Sequence, residues 1–370
     1  MTTDAEGVLR LPSQPDGSPS KVLMVPQAVV VPPDQARFKQ RAGVLDRNGS
    51  YVAQGATSRF ESTITLEPKQ PEAIRAQLEG RWLWAGVLFD HFGHYLVESM
   101  SRLWAFHTGL KFDGICYTPK RPRRKGPLLG FQDDVMQAFG ITRPVHIIKE
   151  PTQIEHLTVP RQGFGLGDLV SGTPEMRDAV RIAFGRNIAA EGPDRLYVSR
   201  SKLGASDGGI MNETEVEANL AAEGYEIFHP QEHSIFEQIA RYKAAKQIII
   251  SDGSAGHLFA YVGREHQRVA YLPRRSFWAD GITDHIAAFS GRSPTVLTSL
   301  AQEWLPREKN NATRGHAFVL HDMAALQATL AENGFVAGAP VWSASDPDLI
   351  AKHLEARGLL DTFHDVSGLQ

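Results

Sequence analysis

The sequence is poor in cysteine, in long apolar runs and in excess charge. Cys116 is the only cysteine among 370 residues, so an internal disulfide framework is excluded and a reducing compartment is expected. No apolar run approaches the ~20 residues that cross a bilayer. A net charge of -3 gives no general attraction to nucleic acid or to anionic membranes. Because no secretory leader is recognisable either, we expect a cytoplasmic protein that binds no nucleic acid.

Two nucleotide-binding fingerprints are also missing. The sequence contains neither the Walker pattern Gly-x-x-x-x-Gly-Lys-Ser/Thr nor the dinucleotide pattern Gly-x-Gly-x-x-Gly. Both patterns place glycine backbone and a helix start against phosphate groups. Their absence argues against a P-loop nucleotidase and against a standard dinucleotide enzyme.

The length and the alternation of patterns predict the domain organisation. A chain of 370 residues exceeds what one hydrophobic core usually covers, so two main domains are expected. Strand-like and helix-like segments alternate over most of the chain, which predicts an α/β fold with largely parallel sheets. We predict four segments: a leader and β-rich flap at 1–80, an α/β domain at 81–175, a second α/β domain at 176–300, and a helical extension at 301–370.

The densest group of polar residues follows the apolar run Trp82–Phe89. This run predicts a buried strand, and the turn around Gly93 predicts the start of a helix. In such a helix, residues three and four positions apart share a face. The predicted polar face contains His91, His94, Glu98, Ser101 and Arg102. These residues are candidates for acid-base chemistry; the alternative is an ordinary set of capping and surface groups.

A zinc site is another interpretation of the same helix face. Two imidazoles and one carboxylate, from His91, His94 and Glu98, suit zinc and would indicate a metal-dependent hydrolase. No further ligand pair at a convincing spacing stands out in the sequence. We therefore expect no bound metal.

A glycine turn provides the second candidate site. Asp252-Gly253-Ser254-Ala255 follows the predicted strand Gln247–Ser251 and precedes a predicted helix. Small residues let a ligand approach the backbone, and the N–H groups of a helix start face bound anions. Arg200 ends a neighbouring predicted strand and would supply positive charge to a diphosphate. The alternative is a turn that only allows close packing of helix against strand.

The one dense basic run, at 120–126, lies between these two regions. It contains five Lys or Arg residues, and its prolines predict a loop. We interpret it as a solvated loop, with contact to an anionic acceptor or a membrane surface as the alternative.

Several sequence blocks, in this order, resemble glycosyltransferase family 61. The blocks are His91–Glu98 with Arg102–Trp104, Arg195–Arg200, Asn212–Glu215, Glu237–Gln238 and Ile249–Ala255. The resemblance implies a GT-B architecture, in which two Rossmann-like domains face a cleft. It also implies inverting sugar transfer from a nucleotide sugar, without a metal or another cofactor. Bacterial members with this kind of front end are similar to proteins of capsular or other surface-polysaccharide assembly.

The reaction implied by this resemblance needs a base for the acceptor hydroxyl. His94 or Glu98 is the predicted base, with the other residue orienting it, and Asp90 is a third candidate. His91 and Arg102 are predicted to support the acceptor side.

The reaction also needs stabilisation of the leaving diphosphate. The predicted donor-binding residues are Arg200, Lys202, Asp252, Gly253, Ser254, Ala255 and His257. The family more commonly has His before the first glycine of this turn, where this chain has Asp252.

The expected partners are a nucleotide-sugar donor and a glycan or glycolipid acceptor. Peripheral contact with the inner membrane and assembly into an oligomer are left open by the resemblance. A saccharide-binding protein without transfer activity is the main alternative function.

Overall fold

The computed structural model describes residues 2–3, 9–10, 21–60, 62–203, 208–276, 279–307 and 316–368. The chain forms two compact units, Met1–Asn187 and Ile188–Gln370. Each unit contains parallel strands together with helices. The predicted mixed α/β fold with parallel sheets is therefore confirmed.

The first unit contains one large mixed sheet. Its main strands are β1 Val22–Val31, β2 Gly43–Leu45, β3 Ala76–Leu88, β4 Gly114–Pro119, β5 Val145–Ile147 and β6 Thr152–Pro160. Strand β3 lies between β4 and β6 and is parallel to both, and β4 is also parallel to β5. Shorter strands lie at Thr2–Thr3, Leu9–Arg10, Gln40–Arg41, Ser58–Arg59, Ser62–Thr63 and Thr65–Leu66.

The central position of β3 explains its sequence. Residues Leu83–Leu88 are all buried, as expected for a strand with neighbours on both edges and cover on both faces. The predicted strand at Trp82–Phe89 is therefore observed, and it ends at the start of the candidate site.

The front of the chain does not form a separate flap. Strand β1 pairs antiparallel with β6, so it extends the main sheet of the first unit. Its residues Val25, Ala28 and Val30 are buried in the same hydrophobic cluster as Trp84 of β3. Burial of these side chains and the pairing of an otherwise open strand edge favour this arrangement over an independent flap.

The helical segment after β3 is irregular. One α-helical turn, α1 at Phe92–His94, continues as a π-helical turn at Tyr95–Ser99, and a 3-10 helix follows at Leu103–His107. The N–H of Met100 donates to the carbonyl of Tyr95 at 3.0 Å, a bond over five residues. The sequence predicts a continuous helix here, and the wider turn changes which side chains share a face after Glu98.

Among its described residues, the first unit also contains two longer helices. They are α2 Gly130–Ala138 and α3 Pro174–Ala183. Helix α3 packs against the 3-10 helix at Leu103–His107, so it belongs to the first unit rather than to the predicted domain at 176–300.

The main sheet of the second unit is entirely parallel. In chain order the strands of this unit are β7 Arg195–Val198, β8 Gly209–Ile210, β9 Glu226–Phe228, β10 Gln247–Ser251, β11 Arg268–Leu272, β12 Thr295–Val296, β13 Leu300–Pro306, β14 Phe318–His321 and β15 Phe363–Asp365. The main sheet has the order β9-β7-β10-β11-β12. The direction of winding reverses between β7 and β10, the topological switch point of such a sheet.

Helices connect these strands and continue to the end of the chain. They are α4 Glu213–Ala222, α5 Ile235–Ala244, α6 Ala255–Val262, α7 Ala279–Ser290, α8 Met323–Glu332 and α9 Leu349–Ala356. Short 3-10 turns lie at Ala53–Gly55, Pro230–Glu232 and Leu360–Thr362. Among the described residues, no helix combines the length and apolar character that a bilayer span requires.

The end of the chain is not purely helical. Strands β13, β14 and β15 form a second sheet of this unit together with β8. Phe318, Leu320 and Phe363 from this sheet pack with Ile350 and Leu354 of α9. The prediction of a helical extension at 301–370 is therefore wrong, because this part of the chain contains strands as well as helices. The backbone N–H and C=O groups of β13, β14 and β15 are satisfied by pairing within the sheet.

Candidate active site

A polar cleft of the first unit lies where two neighbouring strands end. Asp90 and His91 follow β3, and Lys120 follows β4 directly. Because β3 and β4 are parallel, their carboxyl ends lie at the same edge of the sheet. A cleft of about 320 Å³ opens there, and its lining includes the predicted residues Asp90, His91 and His94.

His94 and Glu98 form the closest predicted pair. Nδ1 of His94 lies 2.8 Å from Oε2 of Glu98, as their spacing of four residues predicts. The His94 side chain is 36% exposed, whereas the Glu98 side chain is fully buried. The His94 imidazole therefore lines the cleft, and the buried Glu98 carboxylate contacts it from the protein interior.

Arg59 completes this pair and was missed by sequence reasoning. Its Nε donates to Oε1 of Glu98 at 2.7 Å, and its Nη2 donates to Oε2 at 2.6 Å. Burial acts to raise the pKa of Glu98, but the hydrogen bonds from His94 and Arg59 outweigh it and lower the pKa below its ordinary value. Glu98 is thus an ionised carboxylate with both oxygens occupied.

Asp90 is held by a residue of the basic loop. Nε of Arg124 donates to Oδ1 of Asp90 at 2.7 Å, and the same guanidinium donates to Oε1 of Gln132 at 3.2 Å. The Asp90 side chain remains 32% exposed and lines the cleft. Arg124 itself is buried, so the loop at 120–126 is partly integrated into the site and is not solvated along its whole length.

The two predicted supporting residues have different environments. His91 lines the cleft, and its ring lies 5.1 Å from the ring of His94. Arg102 is only 1% exposed and donates to the backbone carbonyls of Pro160 and Ala56. Burial lowers the pKa of Arg102 to about 9. Arg102 therefore joins backbone segments inside the fold and lies outside the cleft lining, because the π-helical turn moves it off the predicted face.

The proposed zinc ligands do not form a metal-binding group. Within the described ranges, no cluster of three His, Cys, Asp or Glu side chains has the geometry to hold a metal ion. Of the three predicted ligands, Glu98 has both oxygens bonded to Arg59 and His94. This geometry disfavours the zinc-hydrolase interpretation of His91, His94 and Glu98.

The second candidate site lies at the switch point of the parallel sheet. Arg200 follows β7, and Asp252 and Gly253 follow β10, which is the neighbouring strand. Ligands of open α/β sheets bind in the crevice outside the carboxyl ends of strands at such a reversal. The topology thus supports the predicted location of a ligand site in this unit.

Arg200 lies directly against the glycine turn. A Cβ added at Gly253 would lie 2.4 Å from Nη1 of Arg200 and 3.1 Å from its Cδ. The N–H of Arg200 donates to Oε1 of Glu213 at 2.9 Å, which fixes the backbone after β7. Nε of Arg200 is buried and has no hydrogen-bond partner among the described residues. A side chain at position 253 would therefore displace the Arg200 guanidinium, which is the mobile end of that side chain, so glycine at 253 allows the arginine to take this position.

Asp252 holds two further arginines that the sequence analysis did not select. Its Oδ2 lies 3.1 Å from Nε of Arg275 and 3.8 Å from Nε of Arg274. Burial acts to raise the pKa of Asp252, but Arg275 and Arg274 lower it below its ordinary value. Burial also lowers the pKa of Arg274 to about 10. The charge of Arg200 also lowers the pKa of Asp252, so this buried carboxylate is influenced by three guanidinium groups, an excess of positive charge.

The remaining predicted donor residues surround this group less directly. Nζ of Lys202 pairs with Oε2 of Glu232 at 3.1 Å on the surface. Ser254 precedes α6 and Ala255 begins it, so both lie at the helix N-terminus. Nδ1 of His257 lies 2.8 Å from Nδ1 of His285.

Comparison with known proteins adds one informative match. Residues 92–266 match the family model described as Glycosyltransferase 61. The matched segment is just under half of the chain and contains His94, Glu98, Arg200 and Gly253. No curated protein matches the chain.

Two solved structures share a weak similarity with the chain. They are the bacterial iron-containing dodecameric glycosyltransferase TibC from enterotoxigenic E. coli H10407, and the dodecameric iron-containing heptosyltransferase TibC in complex with ADP-D-beta-D-heptose. Each is 11% identical to this chain, with 74% of this chain and 79% of the other covered, at a TM-score of 0.28. A TM-score this low carries no argument about fold or function. The match to the family model, by contrast, supports glycosyltransferase family 61 for residues 92–266. This segment contains the central residues of both candidate sites.

Proposed function

We propose that this protein is an inverting glycosyltransferase. It transfers a sugar from a nucleotide-sugar donor to a glycan or glycolipid acceptor in bacterial surface-polysaccharide assembly, such as that of a capsule. The family match over residues 92–266 supports a transferase. The observation that carries the proposal is the partly exposed imidazole of His94, held by a buried carboxylate at the edge of a cleft.

In this proposal His94 is the catalytic base and Glu98 orients it. Nδ1 of His94 lies 2.8 Å from Oε2 of ionised Glu98 and 3.2 Å from Nη2 of Arg59. In this proposal Nδ1 carries its proton toward Glu98, and Nε2 is the proton acceptor. As the acceptor hydroxyl oxygen attacks the anomeric carbon, Nε2 takes the hydroxyl proton, and the bond to the donor diphosphate breaks on the opposite face. Asp90 keeps a hydrogen-bonding role, because Arg124 already engages one of its oxygens.

Arg200, Arg274 and Arg275 stabilise the leaving diphosphate in this proposal. Guanidinium groups bind phosphate oxygens through paired N–H donors, and the N-terminus of α6 adds further positive potential. Asp252 positions two of these arginines through its buried contacts. The proposal assigns neutralisation of the developing charge to these groups and includes no resident metal or other cofactor. It also assigns the enzyme to the cytoplasm, with peripheral contact to the inner membrane when the acceptor is a glycolipid.

Nucleotide release from a panel of nucleotide sugars, with extracted surface glycans as acceptors, tests the proposal. We expect His94→Ala to lower turnover by about 100- to 10,000-fold, the usual contribution of a positioned base. NMR of the product then determines whether the anomeric configuration inverts. Near-normal turnover by His94→Ala in folded protein would contradict the assignment of the base.

A thermal-shift screen with uridine, guanosine, cytidine and adenosine diphosphates tests the donor part separately. A ligand that binds only the native state raises the melting temperature. If none of them binds and no donor is turned over, the saccharide-binding alternative is favoured. If a nucleotide binds and Arg200→Ala abolishes the shift, the donor site is supported.

A further inference from the structure

The cleft of the first unit contains more positive charge than base catalysis requires. Its lining includes Arg37, Arg59, Lys120 and Arg121. Arg59 is neutralised by Glu98 at 2.6 Å. For the other three cations, the described part of the chain provides no carboxylate at ion-pair distance. An excess of cations in a concave site focuses the electrostatic field and favours an anionic ligand.

Lys120 is partly buried beside these cations, which disfavours its charged form. Its Nζ donates to the backbone carbonyls of Arg37 at 2.7 Å and Phe38 at 2.9 Å, which holds segment 36–38 beside the cleft. Burial, with a further contribution from Arg59, lowers the pKa of Lys120 to about 8, and the Glu98 carboxylate only partly opposes this effect. A cation kept partly from water and near a second cation is stabilised when an anion binds next to it.

An aromatic side chain completes the cleft. Phe38 is 46% exposed, although its ring lies 5.8 Å from the guanidinium carbon of Arg59. The buried ring of Phe89 lies 5.2 Å from the same carbon on the cleft wall. Exposed aromatic rings beside polar groups are typical of ligand sites, and the C–H face of a sugar ring packs well on them.

We propose that this cleft binds a saccharide that carries a negatively charged group, either a phosphate or a carboxylate. Phe38 contacts the sugar ring, and Arg37, Lys120 and Arg121 contact the anion. Naming this saccharide as the acceptor rests on the proposed transferase function, because His94 lines the same cleft. Binding of the saccharide itself does not depend on transfer.

Isothermal titration of the full chain, without nucleotide sugar, tests this proposal. The probes are glucose, glucose 6-phosphate, glucuronic acid and inorganic phosphate at pH 7. We expect both charged sugars, or one of them, to bind at least roughly tenfold more tightly than glucose, as charge-assisted hydrogen bonds predict. The two charged probes distinguish a phosphate-bearing from a carboxylate-bearing ligand.

Variants in the basic loop provide the matched control. Arg121 lines the cleft, whereas Arg123 is exposed in the same loop and is not part of the lining. We expect Arg121→Gln to weaken binding of the charged sugar by about three- to tenfold and Arg123→Gln by less than about twofold. Phe38→Ala should weaken binding of the charged sugars without changing the binding of inorganic phosphate.

Three results would overturn the proposal. The first is that glucose binds as tightly as the charged sugars. The second is that Arg121→Gln and Arg123→Gln reduce the affinity for the charged sugar equally. The third is that a nucleoside diphosphate competes with the charged sugar for the cleft and itself binds more weakly to Arg121→Gln. The last result would assign the cleft to the donor. If the charged sugar binds as expected but no donor supports transfer to it, the binding proposal stands and the proposed function fails.

Discussion

The guanidinium of Arg200 occupies the space that a side chain at Gly253 would need. A Cβ at position 253 would lie 2.4 Å from Nη1 of Arg200, closer than such atoms approach in folded proteins. The turn and the arginine come from the ends of adjacent strands β10 and β7. The position of the arginine and the identity of the glycine are thus coupled.

Gly253→Ala should displace Arg200 and weaken donor binding. We expect the Michaelis constant for the nucleotide sugar to rise by roughly tenfold, comparable to the loss of one charge-assisted hydrogen bond. Gly281→Ala is the matched control, because a Cβ there meets no atom within 4 Å. Steady-state kinetics with both variants check this, and an unchanged Michaelis constant in Gly253→Ala would contradict a role of Arg200 in donor binding.

Arg59→Met should destabilise the first unit because it leaves the Glu98 carboxylate buried and poorly compensated. Loss of one partner of a buried ion pair costs about 3–5 kcal/mol in the free energy of unfolding. The double variant with Glu98→Gln should recover most of this loss, since the buried charge is then removed. Urea unfolding measures both values.

The control for Arg59→Met is Arg81→Met. Arg81 pairs with Asp113 at 3.7 Å, and both side chains are 53% exposed, so the change should be at most about 1 kcal/mol. If the double variant is no more stable than Arg59→Met, the loss comes from packing on Phe38 and Phe89 instead of from the charge.

Asp252→Asn should destabilise the second unit and make it more responsive to anions. The change leaves Arg274 and Arg275 near Arg200 without their shared carboxylate, so repulsion among the guanidinium groups increases. We expect a lower melting temperature, and a larger upward shift with inorganic pyrophosphate than in the unchanged protein. A smaller pyrophosphate shift in Asp252→Asn would indicate that Asp252 orients the arginines in a way that asparagine cannot.

Binding of a charged saccharide should weaken as the pH rises through about 8. Lys120 is charged below its pKa of about 8 and neutral above it, so the cleft loses one positive charge on the alkaline side. Titration with glucuronic acid measures this effect, because its carboxylate stays ionised throughout the range. We expect affinity to fall by about three- to tenfold between pH 7 and pH 9. Lys120→Arg should remove most of this pH dependence, and an unchanged profile in that variant would exclude Lys120 as its source.

The extent to which the sequence predicts the first site depends on the distance between its residues in the chain. The contact of His94 with Glu98 follows from helical spacing, and the ends of β3 and β4 follow from their apolar runs. Arg59 precedes Glu98 by 39 residues and comes from a two-residue strand, so no local pattern indicates their pairing. The π-helical turn that removes Arg102 from the predicted face depends on tertiary packing, because short π-helical turns have no strong sequence signal.

The second site was predictable to a greater extent. Arg200 and Gly253 both follow predicted strands, and parallel strands end at the same edge, so the sequence indicates that they lie together. The same reasoning indicates Arg274 and Arg275, which follow β11 by two and three residues. Lys202 is predicted from the resemblance, because the loop after Arg200 is often basic in the family, but its side chain pairs with Glu232.

The incorporation of β1 into the main sheet has a consequence for synthesis on the ribosome. Val22 pairs with Pro160, and Val30 pairs with Thr152. The apolar strand β1 is therefore synthesised about 130 residues before its partner strand β6. At typical translation speeds of about 5–20 residues per second, the nascent strand waits roughly 6 to 26 s. During that interval, chaperones that bind exposed apolar segments are expected to engage the N-terminal part of the chain before the first unit is complete.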